Sequence, residues 1–317
     1  MSVAPSPWPK RLLAPDETGP SQLETAMTAM LRRAQFARWY GAVNRLRGRQ
    51  RAVIVMYHSF TPGGWGAIPP STLRWHLELL RELCDVVPLT RLAVALANRE
   101  PTDRMVSLTV DDGYEDFFTV AYPILSELRL PATLFVPTGF IGGQSEWYRR
   151  PRALLRIASA SLLRELDPGL VSVGSHSVHH RPLARLPVAA LEHEARRSKS
   201  DLESLLGVPV TLFAYPFGGR GAYDDAATAV LRAAGFQAAV TTRWDTYSAA
   251  RELLRLPRVW FAATDDPGDV QAKLAGDFDW LNERELVAHL LRSTFTHVRN
   301  SAPVRAIKRT RSSLARR

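Results

Sequence analysis

From residue 52 onward, short apolar runs rich in Val, Leu and Phe alternate with longer stretches whose apolar residues recur every three or four positions. The short runs cover 52–57, 86–87, 105–110, 132–136, 170–173, 212–215, 238–241 and 256–261, and they predict strands. The intervening periodicity predicts helices over 71–83, 90–98, 114–127, 151–166, 187–206 and 224–234, with Gly235 as a C-terminal cap. Strands alternating with helices over most of this stretch imply βα units on a parallel sheet, which is the α/β class. Seven or eight such units in about 210 residues favour a closed or nearly closed barrel over an open sheet. In such a barrel chemistry belongs at the C-terminal ends of strands.

Composition narrows the picture. A chain of 317 residues with 46% hydrophobic and 23% charged residues is neither collagenous nor disordered, and its single cysteine, Cys84, excludes an internal disulfide. A core of this size needs no structural metal, so a metal site here would be functional. No apolar run approaches 18 residues, so no transmembrane helix is expected. The expected organisation is an N-terminal extension over 1–50, a barrel over 51–262, and C-terminal helices with a basic tail over 263–317.

The net charge of +10 is concentrated at the ends. Residues 31–51 hold seven Arg and no acid, and 301–317 hold six basic residues and no acid; elsewhere 28 basic residues face 31 acidic ones. A nucleic-acid enzyme would carry its positive field around the cleft, so no nucleic-acid partner is expected. Leu31, Phe36, Trp39, Tyr40, Val43 and Leu46 have partly helical spacing. Two readings stand: a basic amphipathic helix in contact with an anionic membrane, or a helix packed on the barrel with a solvated Arg face. The apolar stretch 12–14 is too short for a signal-peptide core, so the expected location is cytoplasmic, with peripheral contact at the inner membrane face as a variant.

Four strand ends carry candidate chemistry. Asp111-Asp112-Gly113 follows the 105–110 run. Adjacent carboxylates diverge, so one can ligate a cation while the other takes a proton, although Asp and Gly also make ordinary turns. Gly174-Ser175-His176-Ser177-Val178-His179-His180 follows the 170–173 run, and His176 and His180 have a spacing that holds Zn²⁺. His179 is expected to point away, toward solvent or a supporting partner. With Asp112 the two imidazoles make three ligands and an open position, the pattern of a catalytic metal. His58 ends the first run, either as a catalytic group or as a structural histidine. Phe213-Ala214-Tyr215-Pro216-Phe217-Gly218 runs into a turn that can aim backbone N–H groups at an oxyanion or simply connect two elements. Trp147, Tyr148 and Trp244 are candidates for stacking on sugar rings, or for packing.

In order and spacing, the segments 108–113, 174–180 and 213–218 resemble those of the NodB-homology polysaccharide deacetylases, carbohydrate esterase family 4. The resemblance covers about residues 50–262 and implies a distorted (β/α)7 barrel. It implies Asp112, His176 and His180 as ligands of a divalent metal, with zinc expected and cobalt or nickel as alternatives, and Asp111 as general base. No Leu-x-His follows the last strand-like run; 55–58 (Val-Met-Tyr-His) instead resembles the circularly permuted branch that includes poly-N-acetylglucosamine deacetylases. This implies His58 as general acid and the Phe217 N–H as oxyanion donor. Where the family often has an Arg that orients the base, this chain has Ala214, and Arg258 is the candidate replacement.

The resemblance thus implies metal-assisted hydrolysis of an N-acetyl group on an amino sugar, with an N-acetylated saccharide as substrate. A polymer, a lipid-linked sugar and a nucleotide-linked sugar all remain open. Two other classes compete. A catalytically silent carbohydrate-binding relative would be expected to have lost ligands, and a non-haem iron oxygenase gives Asp111 no task.

Overall fold

The computed structural model describes residues 50–51, 53–64, 66–147, 155–248 and 252–279. The basic N-terminal segment (apart from 50–51) and the C-terminal tail lie outside the described residues, as does Tyr148.

In chain order the elements are β1 (Gln50–Arg51), β2 (Val53–Tyr57), α1 (Pro70–Leu83), β3 (Asp85–Val86), α2 (Leu89–Ala97), β4 (Met105–Val110), α3 (Tyr122–Leu128) and β5 (Ala132–Val136). There follow α4 (Ala160–Arg164), β6 (Val171–Ser175), α5 (Val188–Leu206), β7 (Leu212–Ala214), α6 (Asp225–Ala233), β8 (Ala238–Val240), β9 (Tyr247–Ser248), β10 (Val259–Trp260) and α7 (Pro267–Ala275). Seven strands run parallel in the order β10-β2-β4-β5-β6-β7-β8, with β3 beside β4, while β1 and β9 form a separate antiparallel pair. The segment leading into β10 touches both ends of the sheet. Leu256 bridges Val240 of β8, and Val259 and Trp260 pair with Val55 and Met56 of β2. The sheet therefore curls on itself as the distorted (β/α)7 barrel expected from the sequence.

Strand alternation divides the core in two. Val53, Val55 and Tyr57 of β2 and Val106, Leu108 and Val110 of β4 pack outward under the helices. Ile54, Phe135, Leu212, Ala214, Ala238 and Val240 form an inner cluster with Leu89, Leu92 and Leu96 of α2. Carried to the strand ends, the inner set continues to His58, Asp111 and His176. Gly174 belongs to it as well: a Cβ there would lie 2.4 Å from the Phe135 ring, so the aromatic occupies the space that a side chain would need.

Two helical expectations are modified. Over 114–127 the chain first makes one wide π turn, Phe117–Ala121, before α3 begins. Pro123 offers no N–H to Thr119, and a widened turn just before it absorbs that loss. Of 151–166, residues 151–154 lie outside the described set, Arg156 and Ile157 form β-bridges to Gln144 and Tyr114, and only α4 is helical. Among the described residues no helix is long and apolar enough to cross a membrane.

Candidate active site

The loops at the C-terminal ends of β2, β4, β6 and β7 meet over the barrel mouth. Asp112 leaves the β4 direction in the left-handed region, at φ 72°, and so turns back toward the β6 loop instead of continuing the strand. Ser177, His180 and Phe217 are also left-handed, at φ 64°, 50° and 62°. The only other such non-glycine residues among those described are Arg99 and Arg129, each just past a helix end. Left-handed backbone in non-glycine residues costs about 1–2 kcal/mol each, and its concentration here marks a built site.

Asp112 Oδ1 lies 3.4 Å from His176 Nε2 and 3.2 Å from His180 Nε2. The three side chains offer ligand atoms all within 4.8 Å of one another, and all three are buried. His176 Nδ1 sits 2.7 Å from the Ala214 carbonyl, an arrangement that places its proton on Nδ1 and leaves Nε2 as the free donor atom. Burial pushes the Asp112 carboxyl up, but the two imidazoles beside it, His176 and His180, prevail and hold it well below the carboxylate range. The His180 ring is sandwiched: Trp147 stacks on it at 4.1 Å and Phe217 meets it at 4.9 Å.

Asp111 faces a different set of partners. Arg258 donates to it twice, Nη1 to Oδ1 at 2.7 Å and Nη2 to Oδ2 at 2.6 Å. The guanidinium is fully buried and also donates to the Thr241 carbonyl at 2.8 Å and Thr109 Oγ1 at 3.0 Å. Burial raises the Asp111 carboxyl, yet the Arg258 charge outweighs it and keeps the group ionised. His58 Nε2 lies 3.7 Å from Asp111 Oδ2, and burial lowers the affinity of that imidazole for a proton. Phe217 takes the exposed rim, with its carbonyl fixed by Thr242 Oγ1 at 2.8 Å.

The remaining candidates fall elsewhere. His179 points away from the cluster to Glu194, at 2.6 Å. Trp244 is a core residue, 1% exposed and packed edge-on against Trp260 at 4.6 Å, so it offers no stacking face to a sugar. Trp147 gives one face to His180. Two supporting carboxylates escape a motif-based reading. Asp116 Oδ2 accepts from Ser59 Oγ and Phe60 N at 2.7 Å and from Thr61 N at 2.9 Å, so the Asp111 loop grips the loop just beyond His58. Glu194 serves the His180 turn in the same way. Its signal was a charged residue on the buried stripe Leu191, Glu194, Ala195, Ser198 and Leu202 of α5.

Residues 98–239 match the family model for polysaccharide deacetylases. This stretch is similar to the polysaccharide deacetylases. The chain is 24% identical over 208 residues to YxkH of Bacillus subtilis, a protein named for the polysaccharide deacetylases, covering 65% of this chain and 70% of that one. Among solved structures, the chain is similar to the deacetylase PplD of Streptococcus pyogenes, determined in complex with acetate: 25% identity, TM-score 0.61, 71% of this chain and 99% of that one. IcaB from Ammonifex degensii shares the fold at 24% identity and TM-score 0.63, over 71% and 97% of the two chains. The matched stretch takes in Asp111, Asp112, His176, His180 and Phe217, whereas His58 and Arg258 lie outside it and meet these residues through the barrel closure.

Proposed function

We propose that this protein is a metal-dependent carbohydrate N-deacetylase, which removes an N-acetyl group from an amino sugar of a glycan or glycoconjugate. The observation that carries the reading is the separation of two adjacent carboxylates: Asp112 faces His176 and His180, and Asp111 faces Arg258 and His58. The similarity to PplD, a deacetylase solved with acetate, supports acetate as the product.

Two imidazoles and one carboxylate suit Zn²⁺, with Co²⁺ or Ni²⁺ as alternatives, and the Ala214 contact already orients His176 for a cation. A divalent cation held by Asp112, His176 and His180 would polarise the acetamide carbonyl and make water more acidic. Asp111, ionised and fixed by Arg258, takes the proton from the attacking water. The Phe217 N–H donates to the oxyanion that develops as the water oxygen bonds to the acyl carbon. His58 gives a proton to the sugar nitrogen as the C–N bond breaks. The 3.7 Å between Asp111 and His58 sets the acceptor of the first proton beside the donor of the second.

The test is acetate release from N-acetylglucosamine oligomers by the Zn²⁺-loaded protein beside Asp111→Asn. Release by wild type, reduced about 10²- to 10⁴-fold in the variant, supports the reading. Equal release removes Asp111 from the chemistry. Bound metal without release redirects the search to lipid-linked or nucleotide-linked sugars, and neither metal nor release rejects the enzyme.

A further inference from the structure

Four consecutive backbone N–H groups, from Ser177 to His180, are all held by side-chain oxygens. Ser175 Oγ accepts from Ser177 N at 3.2 Å, and Ser177 Oγ accepts from His180 N at 3.1 Å. The two between them share one atom: Glu194 Oε2 accepts from Val178 N at 2.7 Å and His179 N at 2.9 Å. Glu194 Oε1 takes the His179 ring at 2.6 Å. One helical turn further along α5, Ser198 Oγ meets Ser175 Oγ at 2.6 Å.

Glu194 is 4% exposed, on a helix face otherwise made of Leu, Ala and Ser. A carboxylate there is costly unless its oxygens are used, and both of them are used on one turn. That turn is bracketed by the two candidate ligands, and two of its residues, Ser177 and His180, sit in the left-handed region. The opposite side is held by Thr138 N and Gly139 N, which donate to the Ser177 and Val178 carbonyls, both at 3.0 Å. With its N–H groups unheld, the turn would relax toward ordinary backbone angles and swing the His180 ring from Asp112.

We infer that Glu194 is a positioning residue for the candidate metal site, which acts by fixing the 177–180 turn that presents His180. The inference rests on the metal-site reading above and adds a residue that touches neither cation nor substrate.

The experiment measures Zn²⁺ affinity of the full chain by competition with a chromogenic chelator, and the visible spectrum of the Co²⁺ form, well below the unfolding temperature. Glu194→Ala is expected to bind Zn²⁺ about 10- to 100-fold more weakly and to alter the Co²⁺ spectrum. Glu194→Gln keeps an oxygen for the two N–H groups and is expected to stay within about threefold of wild type. If Glu194→Ala does not fold, Glu194→Asp, which withdraws the carboxylate by one methylene, carries the same expectation of weaker binding. A lower unfolding temperature with wild-type affinity and spectrum in the Ala or Asp variant overturns the inference alone. A wild type that takes up neither ion overturns the metal site and this inference together.

Discussion

Arg258 holds Asp111 in a parallel fork from 147 positions away, Nη1 on Oδ1 at 2.7 Å and Nη2 on Oδ2 at 2.6 Å, with both side chains almost wholly out of solvent. Two donors on two oxygens fix the plane of the carboxylate as well as its charge. The guanidinium comes from the segment leading into β10, while Ala214 of β7, part of the inner core, gives its carbonyl to His176.

Arg258→Ala leaves a buried carboxylate unpaired, so urea unfolding should show a loss of about 3–5 kcal/mol, and acetate release should all but vanish. Arg258→Lys restores the charge as a single point donor and should recover stability better than rate. A lysine variant with wild-type kcat would show that the fork geometry is dispensable.

Asp116→Ala frees the loop beyond His58 from its three hydrogen bonds. A displaced acid group should lower kcat on the order of 10²-fold, with Zn²⁺ affinity unchanged because no ligand rests on Asp116. Loss of Zn²⁺ binding in this variant would contradict that assignment.

Removing the cation with a strong chelator should abolish acetate release, and adding back Zn²⁺ or Co²⁺ should restore it. His176→Ala should resist restoration at any practical ion concentration. Full activity in the chelated protein, with ion content verified by elemental analysis, would dismiss the metal from the chemistry.

His76 offers a pH-dependence away from the site. It is buried edge-on to Trp75 and Phe261, and burial, followed by the Lys273 charge, lowers its pKa to about 4 from 6.5. The folded state therefore favours the neutral ring. Between pH 6.5 and about 4 the unfolded chain binds a proton that the folded one refuses, so stability falls as pH falls, by up to about 3 kcal/mol. His76→Phe should flatten this part of the stability–pH curve. An unchanged slope would place the acid sensitivity on other groups.

Much of the site was legible because its parts are contiguous. Asp111 and Asp112 are neighbours at one strand end, and His176 and His180 share one turn, so strand periodicity and ligand spacing bring each pair into view. The supporting residues were less so. Asp116 lies five positions beyond Asp111 and looks like one more surface acid, and Glu194 looks like an ordinary helix charge until α5 is seen to bury it. Trp244, which the sequence leaves open between sugar stacking and packing, is a core residue, since aromatic character alone does not say which side of a sheet a ring faces.

By itself the sequence determined the order of the parallel strands, the barrel class and the two motifs that carry Asp111-Asp112 and His176 with His180, because each depends on backbone periodicity over a few residues. Only the tertiary structure decided that Arg258 meets Asp111, that His58 stands 3.7 Å from that carboxylate, and that Glu194 holds the His180 turn. These contacts arise where the segment from Leu256 to Trp260 joins the two ends of the sheet and where α5 packs on β6. They join residues far apart in the chain, and no local pattern of polar and apolar positions encodes which distant side chains a curled sheet will bring together.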